Sequence, residues 1–124
     1  MSQALYLFYG GSNGITNSGT WTVDANQTMN FSGGTFTTSG TLAINAGRTL
    51  TVNNGVMAWT GGTLSGGGTL ATSSTLVTLT PNFTQGSQLT LVPTNSTVGG
   101  TGSITVPVGQ TLTLTSTAVG SAVV

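Results

Sequence analysis

The sequence predicts an all-β protein, a single-domain parallel β-solenoid (β-helix) of about five coils. Three observations carry this expectation: a short phrase that recurs along the chain, alternation of apolar with hydroxyl residues, and almost no charge. The phrase is Gly14-Ile15-Thr16-Asn17-Ser18-Gly19-Thr20-Trp21-Thr22-Val23, and it returns at Thr35–Ile44, Thr63–Thr72 and Thr97–Val106. As a rule it reads Thr, apolar, four residues ending near Ser-Gly or Gly-Gly, Thr or Ser, apolar, any, apolar. A second phrase follows at Gln27–Phe31, Arg48–Val52, Gln110–Leu114 and Ser87–Leu91. Self-similarity of this period marks a repeat architecture.

Each element follows from its residues. Residues 1–10 hold the apolar run Ala4 to Tyr9, which reads as a cap or an inter-subunit strand. The run has no cationic flank or small-residue cleavage site and is too short to span a bilayer, so either a leader was removed or the sequence belongs to a longer chain. Residues 11–116 hold the repeats. Within them Thr41-Leu42-Ala43-Ile44, Thr49-Leu50-Thr51-Val52 and Thr111-Leu112-Thr113-Leu114 alternate with period two, the pattern of strands with one buried face. Gly-Gly, Asn-Gly and Ser-Gly pairs between them supply the positive φ that corners require. Residues 117–124 form an apolar, uncharged C-terminal segment.

Stacking the phrases on one another defines the expected core ladder. Trp21, Leu42, Leu70 and Ile104 form one inward column, and Val23, Ile44 and Val106 a second. Met29, Leu50, Leu89 and Leu112 form a third, and Phe31, Val52, Leu91 and Leu114 a fourth. The first phrase recurs unevenly, at 21, 28 and 34 residues from Ile15 through Phe36 and Leu64 to Val98, which reads as strands of fixed length joined by corners that accept insertions. Five coils at about 4.8 Å each would make a rod about 24 Å long.

Composition narrows the function. Of 124 residues only Asp24 and Arg48 are charged; Glu, Lys, His and Cys are absent. Leu, Ile, Val and Phe number 30, enough with zero net charge to place the chain among ordered proteins. Threonine occurs 27 times and no apolar run has helical spacing, so helix is disfavoured throughout. Proton transfer, nucleophilic attack and metal binding each need groups that this chain lacks, so it predicts no enzyme, no catalytic residue, no cofactor and no metal site. One arginine cannot neutralise a run of phosphates, which excludes nucleic acid, and no basic stripe or long apolar segment suggests membrane insertion. Asp24 and Arg48 fall near one corner in adjacent coils, where an exposed ion pair would contribute about 0–1 kcal/mol.

The segments Trp59–Leu70 and Phe31–Leu42, with their Gly-Gly-Thr and Ser-Gly-Thr corners, resemble the Gly- and Thr-rich repeats of bacterial secreted β-solenoid proteins, the autotransporter passengers and filamentous-haemagglutinin-like adhesins. The resemblance spans about residues 11–116. It implies a right-handed coil, an extracellular or cell-surface location and a structural role.

Trp21 and Trp59 fall on the apolar columns, at the positions of Leu42 and Phe31, and read as core rather than as sugar platforms. Sequons at Asn26, Asn30, Asn82 and Asn95 are possible sites for surface sugars, in a number close to chance for this composition. Thr49 and Thr51, Thr78 and Thr80, and Thr111 and Thr113 would line one flat face, the geometry of an ice-binding solenoid, interrupted by Asn30 and Gln88. The leading expectation is self-assembly. A coiled sheet has two open ends, natural proteins normally block such edges, and the apolar termini carrying Leu5, Leu7, Phe8, Val119, Val123 and Val124 show no charge or proline; Pro81, Pro93 and Pro107 read as corners. The expected partner is the chain itself, in a head-to-tail filament or matrix; the alternative is a stretch of a surface-adhesin stalk.

Overall fold

In the computed structural model the chain is a parallel β-solenoid, with sixteen short strands and no helix among the described residues. The structure describes residues 5–8 and 14–120, with side chains in the second stretch only. In order the strands are β1 (Leu5–Phe8), β2 (Ile15–Asn17), β3 (Thr20–Val23), β4 (Gln27–Asn30), β5 (Thr35–Thr38), β6 (Thr41–Ile44), β7 (Thr49–Asn53) and β8 (Val56–Trp59). They continue as β9 (Thr63–Ser65), β10 (Thr69–Ser73), β11 (Leu76–Leu79), β12 (Phe83–Thr84), β13 (Thr90–Thr94), β14 (Thr97–Gly99), β15 (Ile104–Thr105) and β16 (Ala118–Val119). From β1 to β15 every third strand lands on the same face. Sheet A is β1-β4-β7-β10-β13, sheet B is β2-β5-β8-β11-β14-β16, and the third face is built of β3-β6-β9 followed by β12-β15. Five coils and the start of a sixth result. β1 and β16 belong to these sheets, so the coiled region extends past residues 11 and 116 at both ends.

Every strand pair is parallel, and residues that share a rung lie 20 to 23 apart. The uneven spacing read from the phrases is therefore corrected: each full coil is nearly constant in length, although its individual corners vary. Thr63–Thr72 occupies β9 and β10, whereas the true mate of the Ile15 and Phe36 phrases is Val56–Ser65. The intervening coil turns from sheet B to the third face through Thr80-Pro81-Asn82 and so carries no glycine phrase.

The core lies inside the three faces, and its columns differ from those expected. Leu50, Leu70 and Leu91 share a sheet A column, so Leu70 does not join Trp21 and Leu42, whose neighbour is Leu64. Met29 stands beside Val52, two residues from the expected partner Leu50, because the corner before β4 is shorter than the one before β7. Ile104 pairs with Phe83, and Leu89 bridges Gln85. Phe31 is buried just past β4, and Val106 and Leu112 are half-buried in the last coil. Leu114 is 43% exposed, because nothing described stacks beyond the last coil. The most continuous column is Ile15–Phe36–Met57–Val77–Val98–Val119 in sheet B. Trp59 belongs to sheet B between Thr38 and Leu79, not to the column of Phe31. It is buried and stands edge-on to Phe83 with centroids 6.3 Å apart, while Trp21, half-buried, meets Phe36 at 5.5 Å.

The corner between sheets A and B repeats from the second coil onward. Ser32, Asn54, Ser74, Asn95 and Ser116 all have positive φ, between 25° and 58°. Glycines bear positive φ at corners as expected, Gly33 in this corner and Gly47, Gly62 and Gly100 among those at others, but the residue that repeats here is Ser or Asn, short residues whose polar groups make local bonds. In the three later coils the next residue is Thr75, Ser96 or Thr117, and its hydroxyl donates back to the strand just completed. Thr75 Oγ1 reaches Ser73 O at 2.8 Å and Val52 O at 2.9 Å; Ser96 Oγ reaches Thr94 O and Thr117 Oγ1 reaches Thr115 O, each at 2.8 Å. Thr75 and Ser96 are buried, so these bonds satisfy carbonyls turned from water. At the next corner of the third coil glycine is required. Gly62 has φ of 74°, and a Cβ there would strike the carbonyl oxygens of Ser39 and Gly40 in the coil beneath.

Candidate assembly interface

The two ends of the stack are where strands lack neighbours. Among the described residues β2 and β3 have no partner on the side away from β5 and β6, and β15 and β16 none on the side away from β12 and β14. Apolar side chains cluster there. Ile15 and Trp21 in the first coil, and Val106, Leu112 and Val119 in the last, pack on the core yet stay half-exposed. Val108 is fully exposed beside them.

Main-chain direction on these edges is set by the existing bonds. Ala118 N–H donates to Ser96 O at 3.1 Å and Gly120 N–H to Val98 O at 2.7 Å, so the N–H and C=O of Val119 point outward, since alternate residues of a strand face opposite neighbours. At the other end Asn17 O accepts from Ser39 N at 3.0 Å, which turns Ile15 and Asn17 toward β5 and leaves Thr16 facing out.

Sheet A ends differently, and here the expectation of wholly unblocked edges is corrected. Pro93 lies inside β13 rather than at a corner, and its carbonyl faces the last coil, accepting from Thr115 N at 3.5 Å and Thr117 Oγ1 at 3.1 Å. The same side of Pro93 has no N–H to offer. Two residues earlier the side chain of buried Gln85 replaces a strand: its Oε1 accepts Leu91 N–H at 2.9 Å, and its Nε2 donates to Leu91 O at 3.2 Å and Thr111 O at 2.9 Å. Residues 110–114 consequently run alongside without forming a ladder. Gln85 is a polar residue at an inward position, and Pro93 interrupts an alternating strand; both signals are present in the sequence, though neither says which edge it serves.

The remaining expected sites distribute as follows. In β1 the register places Leu5 beside Gln27, Leu7 beside Met29 and Phe8 beside Asn30; Val123 and Val124 lie outside the described residues. The threonine pairs do not share a face: Thr49 and Thr51 are on sheet A, Thr78 is on sheet B, and Thr111 and Thr113 lie outside any strand. A different outward column, Thr49–Thr69–Thr90, does align. Asn26, Asn82 and Asn95 are exposed. Asn26 Oδ1 accepts Thr49 N–H and Asn82 Oδ1 accepts Ser103 N–H, both at 3.0 Å, while Asn30 Oδ1 accepts from Asn54 Nδ2 at 3.0 Å. These bonds tie each amide to the adjacent coil. Asp24 is half-buried and Arg48 exposed. Among the described residues no three His, Cys, Asp or Glu side chains group together, and no helix is long and apolar enough to cross a membrane.

Compared with protein-family models, curated proteins and solved structures, the chain finds no match in any of the three.

Proposed function

We propose that the chain is a non-catalytic structural subunit, extracellular or at a cell surface, that stacks head to tail into a filament or matrix. The observation that carries this reading is the pair of end coils, each with strands that lack an outer partner among the described residues and with half-exposed apolar side chains. A contact between unlike ends does not close on itself, so repetition makes a fibre. Zero net charge supports the same reading, because no long-range repulsion opposes association. Exposed Asn26, Asn82 and Asn95 would leave sugars on the outer faces, clear of the ends.

Negative-stain microscopy and light scattering over a concentration series test this. Sheet B has six strands, so each copy adds six spacings and the expected axial repeat is about 29 Å rather than the 24 Å of five. A protein that stays monomeric at high concentration would exclude the filament. The alternative, a stretch of an adhesin stalk, draws on the same open coils and is favoured if rods of one fixed short length are found.

A further inference from the structure

We propose that the joint between two copies runs through sheet B, with the outer edge of β16 laid along the outer edge of β2 of the next copy so that Val119 sits over Ile15. This rests on the stacking reading above and adds which strands meet and in what register.

Two independent features select that register. The inward column Ile15–Phe36–Met57–Val77–Val98–Val119 continues without a break only if Ile15 of the next copy follows Val119. Hydrogen-bond direction then agrees. Val119 faces outward, and in a parallel ladder an outward residue bonds the two residues flanking its partner. With Ile15 as partner these are Gly14 and Thr16; Thr16 faces outward, and the alternation gives Gly14 the same direction. Val119 N–H would donate to Gly14 O, and Thr16 N–H to Val119 O. A slip by one residue would set outward groups against inward ones and reverse the apolar column.

The other faces offer less. Sheet A is closed at β13 by Pro93 and the Gln85 amide, and β15 is two residues long with Pro107 two positions beyond it. On sheet B the residues flanking the joint are small. Ala118, Gly120, Thr16 and Gly14 are all exposed, so nothing bulky holds the edges apart.

The register makes one pair diagnostic, because Gly120 of one copy would lie beside Thr16 of the next. Within a copy these positions are separated by five strand spacings, about 24 Å, whereas a disulfide spans only about 4 Å between Cβ atoms. The chain has no cysteine of its own, and a Cβ at Gly120 would meet nothing nearer than Val98 O at 3.9 Å. The double variant Thr16→Cys, Gly120→Cys, assembled and then oxidised, should run on a non-reducing denaturing gel as a ladder of covalent multimers that collapses on reduction. The Thr22→Cys, Gly120→Cys control, with its cysteines on different faces, should give monomers. Equal mixtures of the two single variants, Thr16→Cys and Gly120→Cys, should give heterodimers and nothing larger. Filaments that yield no ladder from the Thr16 pair, or equal ladders from both pairs, would overturn this joint and leave the filament standing. Failure of the parent chain to assemble would overturn the filament and the joint with it.

Discussion

Replacing Thr75 with valine removes one hydroxyl from the repeating corner and changes little else, because the two side chains have nearly the same shape. The hydroxyl donates to Ser73 O at 2.8 Å and to Val52 O at 2.9 Å from a buried position. Its single proton is shared between the two oxygens, and removing it from this buried polar corner costs about 2 kcal/mol. Ser73 O keeps a bond from Asn54 N at 3.0 Å, and the added methyl regains about 0.8 kcal/mol of burial, so Thr75→Val should cost about 1 kcal/mol. For a chain of this size that lowers the melting temperature by about 4 °C. Thr78→Val, on the outer face of the next strand, is the control and should change stability by less than about 0.5 kcal/mol. Urea unfolding followed by circular dichroism measures both. Equal midpoints for the two variants, or a Thr75→Val protein more stable than the parent, would refute the view that corner hydroxyls satisfy buried carbonyls.

Gly62→Ala should destabilise by about 2 kcal/mol or more, since positive φ and contact with the coil beneath both oppose a Cβ; urea midpoints check it. Leu50→Asp should prevent folding by burying a carboxylate in an apolar column, whereas Thr51→Asp should be mild; far-ultraviolet circular dichroism separates them. Asn54→Ala should cost about 1–2 kcal/mol, because alanine resists the left-handed corner, and Asn54→Gly should recover most of that loss in the same unfolding assay. Filament growth, followed by light scattering, should change little between ~0.01 and ~1 M salt, because two charged side chains leave little for ions to screen.

The fold class was legible because apolar and hydroxyl residues alternate in many of the strands, such as β6, β7 and β10, and because little charge and no helical spacing competes with that pattern. Register was not, and the cause is local. A Gly-Gly-Thr triplet occurs at all three kinds of corner, at Gly33–Thr35 before β5, Gly61–Thr63 before β9 and Gly67–Thr69 before β10, and again at Gly99–Thr101, so matching triplets aligns different faces. Thr80-Pro81-Asn82 turns from sheet B to the third face without glycine, which hid a whole coil. The left-handed corner residues escaped for the opposite reason. Ser32, Asn54, Ser74, Asn95 and Ser116 look like ordinary polar surface, and only stacking shows that they recur at one corner of successive coils. Of the assembly interface, apolar character at the chain ends could be read directly. The asymmetry between sheets could not, because it depends on which neighbour Pro93 and Gln85 face, and that is decided by the pairing of β13.

Rungs of nearly constant length make the coil an interchangeable module. Duplicating the 21 residues from Arg48 through Gly68, which begin and end at the same corner, should insert one storey about 4.8 Å tall without disturbing either end of the stack. The length of such a molecule is then a matter of how many times one paragraph of sequence is copied, and its two adhesive faces travel unchanged with every edit.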